Sequence, residues 1–210
     1  HLVFLLILTM ALGVRLYKIN SPIADWHSWR QADTSSVTRV FAQEGINMFI
    51  PRYQDISNIP SGLENPEGYR MVEFPLYNLM HLSVFRLGNL NLETAGRLTS
   101  VILSLISLSF IYLIANHISG KKTALFSSLF FAFLPFNIFY SRVVLPEPLM
   151  ITLFLTSFYL LLKSKILPSA IFLSLALLIK PYAIFFTLPY LLIFWVSWQK
   201  KEISLKKIFI

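Results

Sequence analysis

Apolar residues fill positions 2–18, and again 97–118, 122–141, 147–163, 166–180 and 181–198, with short polar breaks between most of the later runs. A helix needs about 17–25 apolar residues to cross a bilayer. The pattern therefore predicts an all-α, polytopic transmembrane domain with about six spanning helices. One long polar region, 19–96, interrupts it. Within that region Val37, Val40 and Phe41 recur at helical spacing and Gly45 follows as a stop, which predicts a short amphipathic helix at about 34–44. Residues 51–70 hold three prolines, two glycines and no periodicity. A loop of that length is expected to be mobile or to bind something.

Residues 74–89 are apolar but short. On a helical wheel Asn78, His81, Arg86 and Asn89 share one side, away from Leu76 and Leu87. That amphipathicity suits a juxtamembrane helix lying in the interface. Lysine placement supports the flat reading. With a cytoplasmic N-terminus and 74–89 not spanning, the eight lysines at 121, 122, 163, 165, 200, 201, 206 and 207 all face inward, as the positive-inside rule requires. Residues 19–96, the 141–148 turn and Lys180 then share the outer face, and one domain covers 1–210 with no internal repeat.

Composition agrees. The chain is 56% hydrophobic and 13% charged, with a mean hydropathy of +0.65; soluble domains carry about 25% charged residues. The net charge of +8 would suit nucleic acid, but the lysines sit at the ends of apolar runs and serve topology, so no nucleic acid is expected. There is no cysteine, which excludes disulfides and thiolate metal sites. The chain opens at His1 inside an apolar run and closes on Ile208-Phe209-Ile210. It reads as a piece of a longer protein, its first segment a signal anchor rather than a cleaved leader.

The densest chemistry lies in His27-Ser28-Trp29-Arg30-Gln31-Ala32-Asp33-Thr34, just after the first apolar run. Ionisable groups at a membrane surface are costly to place and mark function by default. Asp33 reads either as a general base or as the N-cap of the 34–44 helix, and the two roles are compatible. Glu147, in Pro146-Glu147-Pro148, suits a helix N-terminus; it also reads as a second carboxylate sharing a cavity with Asp33. Glu73 opens the 74–89 helix. Arg30, Arg142 and Lys180 are the outer cations nearest the apolar helices. They either snorkel or bind a phosphate at the lipid surface. His27 and His81 lack the spacing of a metal site, and no metal or other cofactor is expected. Phosphate-cradling and dinucleotide glycine motifs are absent.

Three motifs in order, Trp29-Arg30-Gln31-Ala32-Asp33, Glu73-Phe74-Pro75-Leu76-Tyr77 and Tyr140-Ser141-Arg142 through Pro146-Glu147, resemble the GT-C membrane glycosyltransferases of the protein O-mannosyltransferase and aminoarabinose-transferase kind. Arg97-Leu98-Thr99-Ser100 and Leu178-Ile179-Lys180-Pro181 add weaker matches, and Thr34 and Glu147 depart from the family's usual residues. The resemblance implies transfer of a sugar from a polyprenyl phosphate to a hydroxyl or amine of a glycan, lipid or protein, with inversion. Asp33 would be the base and Glu147 its partner. Arg30, Glu73, Tyr77, Arg142, Lys180 and His27 would bind substrate. It implies a multi-pass protein of a bacterial or archaeal plasma membrane, working at the outer face. The rival reading is a transporter or lipid flippase, which would carry its charges near the bilayer midplane.

Overall fold

The computed structural model describes residues 2–58 and 62–199. The lysine cluster at 200–207 lies outside them. The described residues are mostly helical and form no named strand: α1 (Leu2–Leu16), α2 (Ser28–Glu44), α3 (Leu76–Gly88), α4 (Leu92–Phe133), α5 (Pro135–Tyr140), α6 (Glu147–Leu162), α7 (Ile166–Ile179), a 3₁₀ segment (Pro181–Thr187) and α8 (Leu188–Gln199).

α4 is a hairpin rather than one rod. In a straight helix Ser104 and Ala132 would stand about 42 Å apart. Yet the Arg15 guanidinium donates to both, at 3.2 Å to Ser104 Oγ and 3.0 Å to the Ala132 carbonyl. The reversal falls at Gly120, whose φ of 82° and ψ of 176° lie outside helical space and are open to a residue without a Cβ. The two expected runs at 97–118 and 122–141 thus correspond to the two limbs, but the second is cut short. Pro135 lacks the N–H that would continue the helix, so the limb ends at Phe133 and α5 starts afresh.

Six clear spans are not what the helix lengths give. Among the described residues, one helix, Leu92–Phe133, is long and apolar enough to cross a membrane. α1, α6 and α7 are apolar but hold 15, 16 and 14 residues, about 21–24 Å of helix against a hydrocarbon core of about 30 Å. The last expected run is split by the 3₁₀ segment at Pro181.

The helices nevertheless sort the charges to two ends. At one end Lys163 Nζ stands 3.4 Å from His117 Nδ1, beside the Gly120 reversal and Lys121–Lys122. At the other, Arg142 donates to the Lys18 carbonyl and the Phe74 amide to the Leu178 carbonyl. Large apolar side chains face outward along the bundle, among them Phe126, Phe130 and Leu167, each at least 70% exposed. Apolar surface on that scale marks a contact with lipid or protein.

α3 follows the same inverted logic. Its polar residues Asn78 and His81 are buried against α2 and α4, while Leu87 is 88% exposed. Of the side predicted as polar, Asn78 and His81 thus face the protein, while Arg86 and Asn89 are exposed. Asn78 Nδ2 donates to the Thr34 carbonyl at 2.7 Å and to Thr38 Oγ1 at 2.9 Å. The His81 ring bridges Thr38 Oγ1 (3.0 Å) and the Leu92 carbonyl (2.7 Å). A carbonyl only accepts, so Nε2 carries the proton and Nδ1 accepts from Thr38.

Candidate functional site

α2 begins at Ser28, capped by the backbone of His27 in the left-handed region (φ 58°), a full turn and more before the expected start at Thr34. Asp33 therefore sits inside the helix and caps nothing, contrary to the helix start expected there. Glu73 likewise stands ahead of α3, whose cap position is Pro75.

Asp33 Oδ2 lies 3.1 Å from Arg70 Nη2, with 20% of the Asp33 side chain exposed. Burial raises its carboxyl above the ordinary value; Arg70 opposes the shift and Asp55 adds to it. Arg70 reaches this point because the 51–70 loop closes on itself. Tyr53 N donates to the Gly68 carbonyl (2.8 Å), Arg70 N to Pro51 (2.9 Å), and an isolated bridge pairs Arg52 with Tyr69. Gly68 has φ +64°, and a Cβ there would sit 2.4 Å from the Tyr53 carbonyl oxygen, so the turn needs glycine.

A second set of charges lies alongside. Glu73 pairs with Arg30 and, at 2.6 Å, with Lys180. Lys180 reaches Glu147 Oε1 at 3.3 Å. Glu147 Oε2 is buried and has no hydrogen-bond partner among the described residues. Arg70 and Glu73 line one small cleft with Thr34 and Pro146, which joins the two sets. The Arg30 guanidinium is lowered first by burial and then by Arg70, and raised by Glu147 and Asp33. Asp33, Glu73 and Glu147 thus meet Arg30, Arg70 and Lys180 in one network drawn from α2, the 51–73 loop, the start of α6 and the end of α7. Among the described residues no ion pair joins the Asp33–Arg70 pair to the set that holds Glu147; Arg30 lies within electrostatic range of both carboxylates.

The other expected site residues lie apart from this network. Tyr77 is fully buried beneath it, its hydroxyl within 2.9 Å of the Gly96 carbonyl and 2.8 Å of Ser100 Oγ, so it is a packing residue in this fold. His27 is exposed, its ring 6.2 Å from that of Tyr140. Arg142 turns toward Lys18, near Asp25 and Arg97; burial, then Arg97, lowers its guanidinium.

Sequence reasoning missed the supports. Gln31 is fully buried, donates to Asp25 Oδ1 at 2.6 Å and accepts from Val144 N at 3.1 Å, tying α2 to the turn that carries Glu147. Arg97 is fully buried and contacts Asp25 Oδ2 at 3.3 Å. Nothing in the spacing of Gln31 or Arg97 announces these contacts. Arg70 had one usable signal, the turn residues Asn65-Pro66-Glu67-Gly68 just before it.

A cavity opens beside Glu147, and a larger groove adjoins that cavity. The cavity, of about 90 Å³, is lined by Glu147, Ser104, Asn137, Tyr140 and Ser141. It shares Phe131, Phe136 and Asn137 with an apolar groove of about 680 Å³ that also runs past Phe126, Phe130 and Leu134. No group of three His, Asp or Glu side chains is arranged to hold a metal ion among the described residues.

No curated protein and no solved structure gives a significant match to the chain. Residues 75–210, well over half of it, match the dolichyl-phosphate-mannose-protein mannosyltransferase family. The matched stretch holds Glu147 and Lys180, the charged end of α6 and α7, and leaves Asp33, Arg30 and Glu73 in the segment before it. On that match, the chain belongs to the dolichyl-phosphate-mannose-protein mannosyltransferase family.

Proposed function

We propose that the protein moves a sugar from a polyprenyl phosphate to an acceptor hydroxyl or amine, with inversion at the anomeric carbon, in a multi-pass membrane domain whose charged end faces outward. The family supplies the mannosyltransferase-type reaction. The observation that supports the site is a pair of adjoining, partly buried ion-paired sets, Asp33 with Arg70, and Glu147 and Glu73 with Lys180 and Arg30.

In this reading Asp33 takes the proton of the acceptor as the acceptor oxygen or nitrogen bonds to the anomeric carbon. The carbon–oxygen bond to phosphate breaks on the opposite side, which inverts the centre. The prenyl phosphate leaves with its charge beside Lys180 and Arg30, where charge-assisted hydrogen bonds are strongest. Glu147 orients the sugar through its unpartnered oxygen. The prenyl chain lies in the apolar groove that opens past Phe131 and Phe136. A lipid-borne donor gives a reason for a charged site at the end of an apolar bundle. The transporter reading fares worse, because the ionisable residues gather at the ends of the helices rather than at mid-span.

Asp33→Asn tests the base. It keeps the shape and removes the basicity, and a general base contributes about 10²–10⁴-fold. The variant of the full-length protein should fold normally and lose transfer from prenyl-phosphate mannose by about that factor. A folded and fully active variant would remove Asp33 from the mechanism and turn attention to Glu147→Gln.

A further inference from the structure

Asp33 and Glu147 stand on elements far apart in the chain, α2 and the start of α6, and no ion pair among the described residues spans the two. Something else must fix their spacing. Among the described residues, one hydrogen bond joins α2 to the 141–147 turn: Gln31 Oε1 accepts from Val144 N at 3.1 Å. Gln31 stands two residues before Asp33, and Val144 three before Glu147. Both are fully buried.

The other end of the Gln31 amide is held too. Its Nε2 donates to Asp25 Oδ1 at 2.6 Å and to the Trp26 carbonyl at 3.1 Å. Asp25 is anchored in turn by Arg97, fully buried near the start of α4, whose Nη1 and Nη2 both lie 3.3 Å from Oδ2. The turn is gripped from α4 as well, because Ser100 Oγ donates to the Val143 carbonyl at 2.6 Å. A Cβ on Gly96 would come within 2.7 Å of Val144 Cγ1, so glycine lets the turn lie directly on α4. A carboxylate only accepts and a backbone N–H only donates. The side chain between Asp25 and Val144 therefore needs a donor and an acceptor at its tip, in one orientation. Glutamine offers both at every pH.

We infer that Gln31 is a positioning residue for transfer: oriented by Asp25 and Arg97, its amide sets the separation between the Asp33 and Glu147 carboxylates. The inference rests on the glycosyltransferase reading, and Gln31 itself touches no substrate. Misplacing reacting groups by about 1 Å costs on the order of 100-fold in rate. Lys180, the cation assigned to the donor phosphate, stands at the end of α7 outside this link. The loss on breaking the link thus falls on kcat rather than on the donor KM.

Two variants of the full-length protein in nanodiscs separate positioning from packing. Gln31→Met keeps the length and loses both hydrogen bonds at every pH. Gln31→Glu keeps the acceptor for Val144 but sets a carboxylate against Asp25. Arg97 and Arg142 lie in range of Asp25, so a proton shared between the facing carboxylates settles on the introduced one, which then donates as the amide does. Gln31→Glu is therefore prepared in mild acid, where its bonds match the wild type. At mildly alkaline pH both variants should lose about 10–100-fold in kcat, with the donor KM within about threefold. On acidification the rate of Gln31→Glu relative to the wild type should recover, while that of Gln31→Met stays flat. Full kcat in either variant, a loss carried by KM, or a Gln31→Glu ratio indifferent to pH overturns the assignment.

Pulsed electron resonance between spin labels at the exposed Arg39 of α2 and Ile151 of α6 reads the geometry without activity. The distance distribution should shift or broaden by about 1 Å or more in Gln31→Glu at alkaline pH and return in acid; an unchanged distribution also overturns the assignment. Release of prenyl phosphate from prenyl-phosphate mannose by the wild type is measured in parallel. Its absence refutes the glycosyltransferase reading, whereas release undiminished in both variants refutes the positioning role alone.

Discussion

Two polar regions lie side by side at the charged end of this bundle, and they are built on opposite terms. The lower one is neutral and closed. Tyr77, Asn78, His81, Thr38 and Ser100 are all buried, and each side chain has a partner. The upper one is charged and open. Asp33, Glu73, Glu147, Arg30, Arg70 and Lys180 keep between 11% and 32% of their side-chain surface, and Glu147 holds a buried oxygen with nothing to bond. A closed neutral network serves packing, because every desolvated group recovers its hydrogen bond. A charged network with like charges in mutual range and an orphaned acceptor is not the arrangement that stability alone would select. It is poised for something else to complete it.

The comparison predicts that damage above the divide lowers activity and damage below it lowers stability. After the loss expected of Asp33→Asn, the largest effect belongs to Lys180→Gln. Losing one charge-assisted contact to a phosphate should raise the donor KM by about 10–100-fold, with the melting temperature nearly unchanged. A normal donor KM would place the phosphate elsewhere.

Below the divide, pH is the probe. Burial, opposed by the hydrogen bond to Leu92, lowers the folded pKa of His81 from 6.5 to about 4. The unfolded chain therefore binds the proton first. Stability should fall as pH drops from about 6.5 toward 4, by on the order of 3 kcal/mol at the lower limit. Unfolding curves across that window check it, and a His81→Gln variant should flatten the dependence even where it lowers the stability overall. A wild type equally stable at both ends would mean that His81 is not held neutral.

Gly68→Ala sharpens the comparison from a distance. A Cβ at positive φ, facing the Tyr53 carbonyl, costs about 1–2 kcal/mol locally. It should displace Arg70 and so lower activity more than global stability. The smallest effect is expected of Tyr77→Phe, about 1–2 kcal/mol of stability from the partners left at Gly96 and Ser100. Its transfer rate should stay near that of the wild type, and a large loss of rate would return Tyr77 to the site.

The sequence by itself determined the helical class, the rough order of apolar segments and the candidate acids Asp33, Glu73 and Glu147. Those signals are local: run length, helical period and the rarity of charge among apolar residues. It misplaced the start of α2, because Asp33-Thr34-Ser35-Ser36 reads as a cap in isolation, whereas the chain folds around His27 and extends the helix backward. It also read Tyr77 as a ligand group, since a motif position carries no information about burial. Only the tertiary structure decided which charges meet. Arg70 reaches Asp33 through a loop closed by a single glycine, and Lys180 joins Glu73 across 107 positions of sequence. Gln31 ties α2 to the amide of Val144, 113 positions away. Contacts between distant residues depend on how helices stack and where they reverse. That geometry follows from the packing of the whole chain, and no short stretch of residues encodes it.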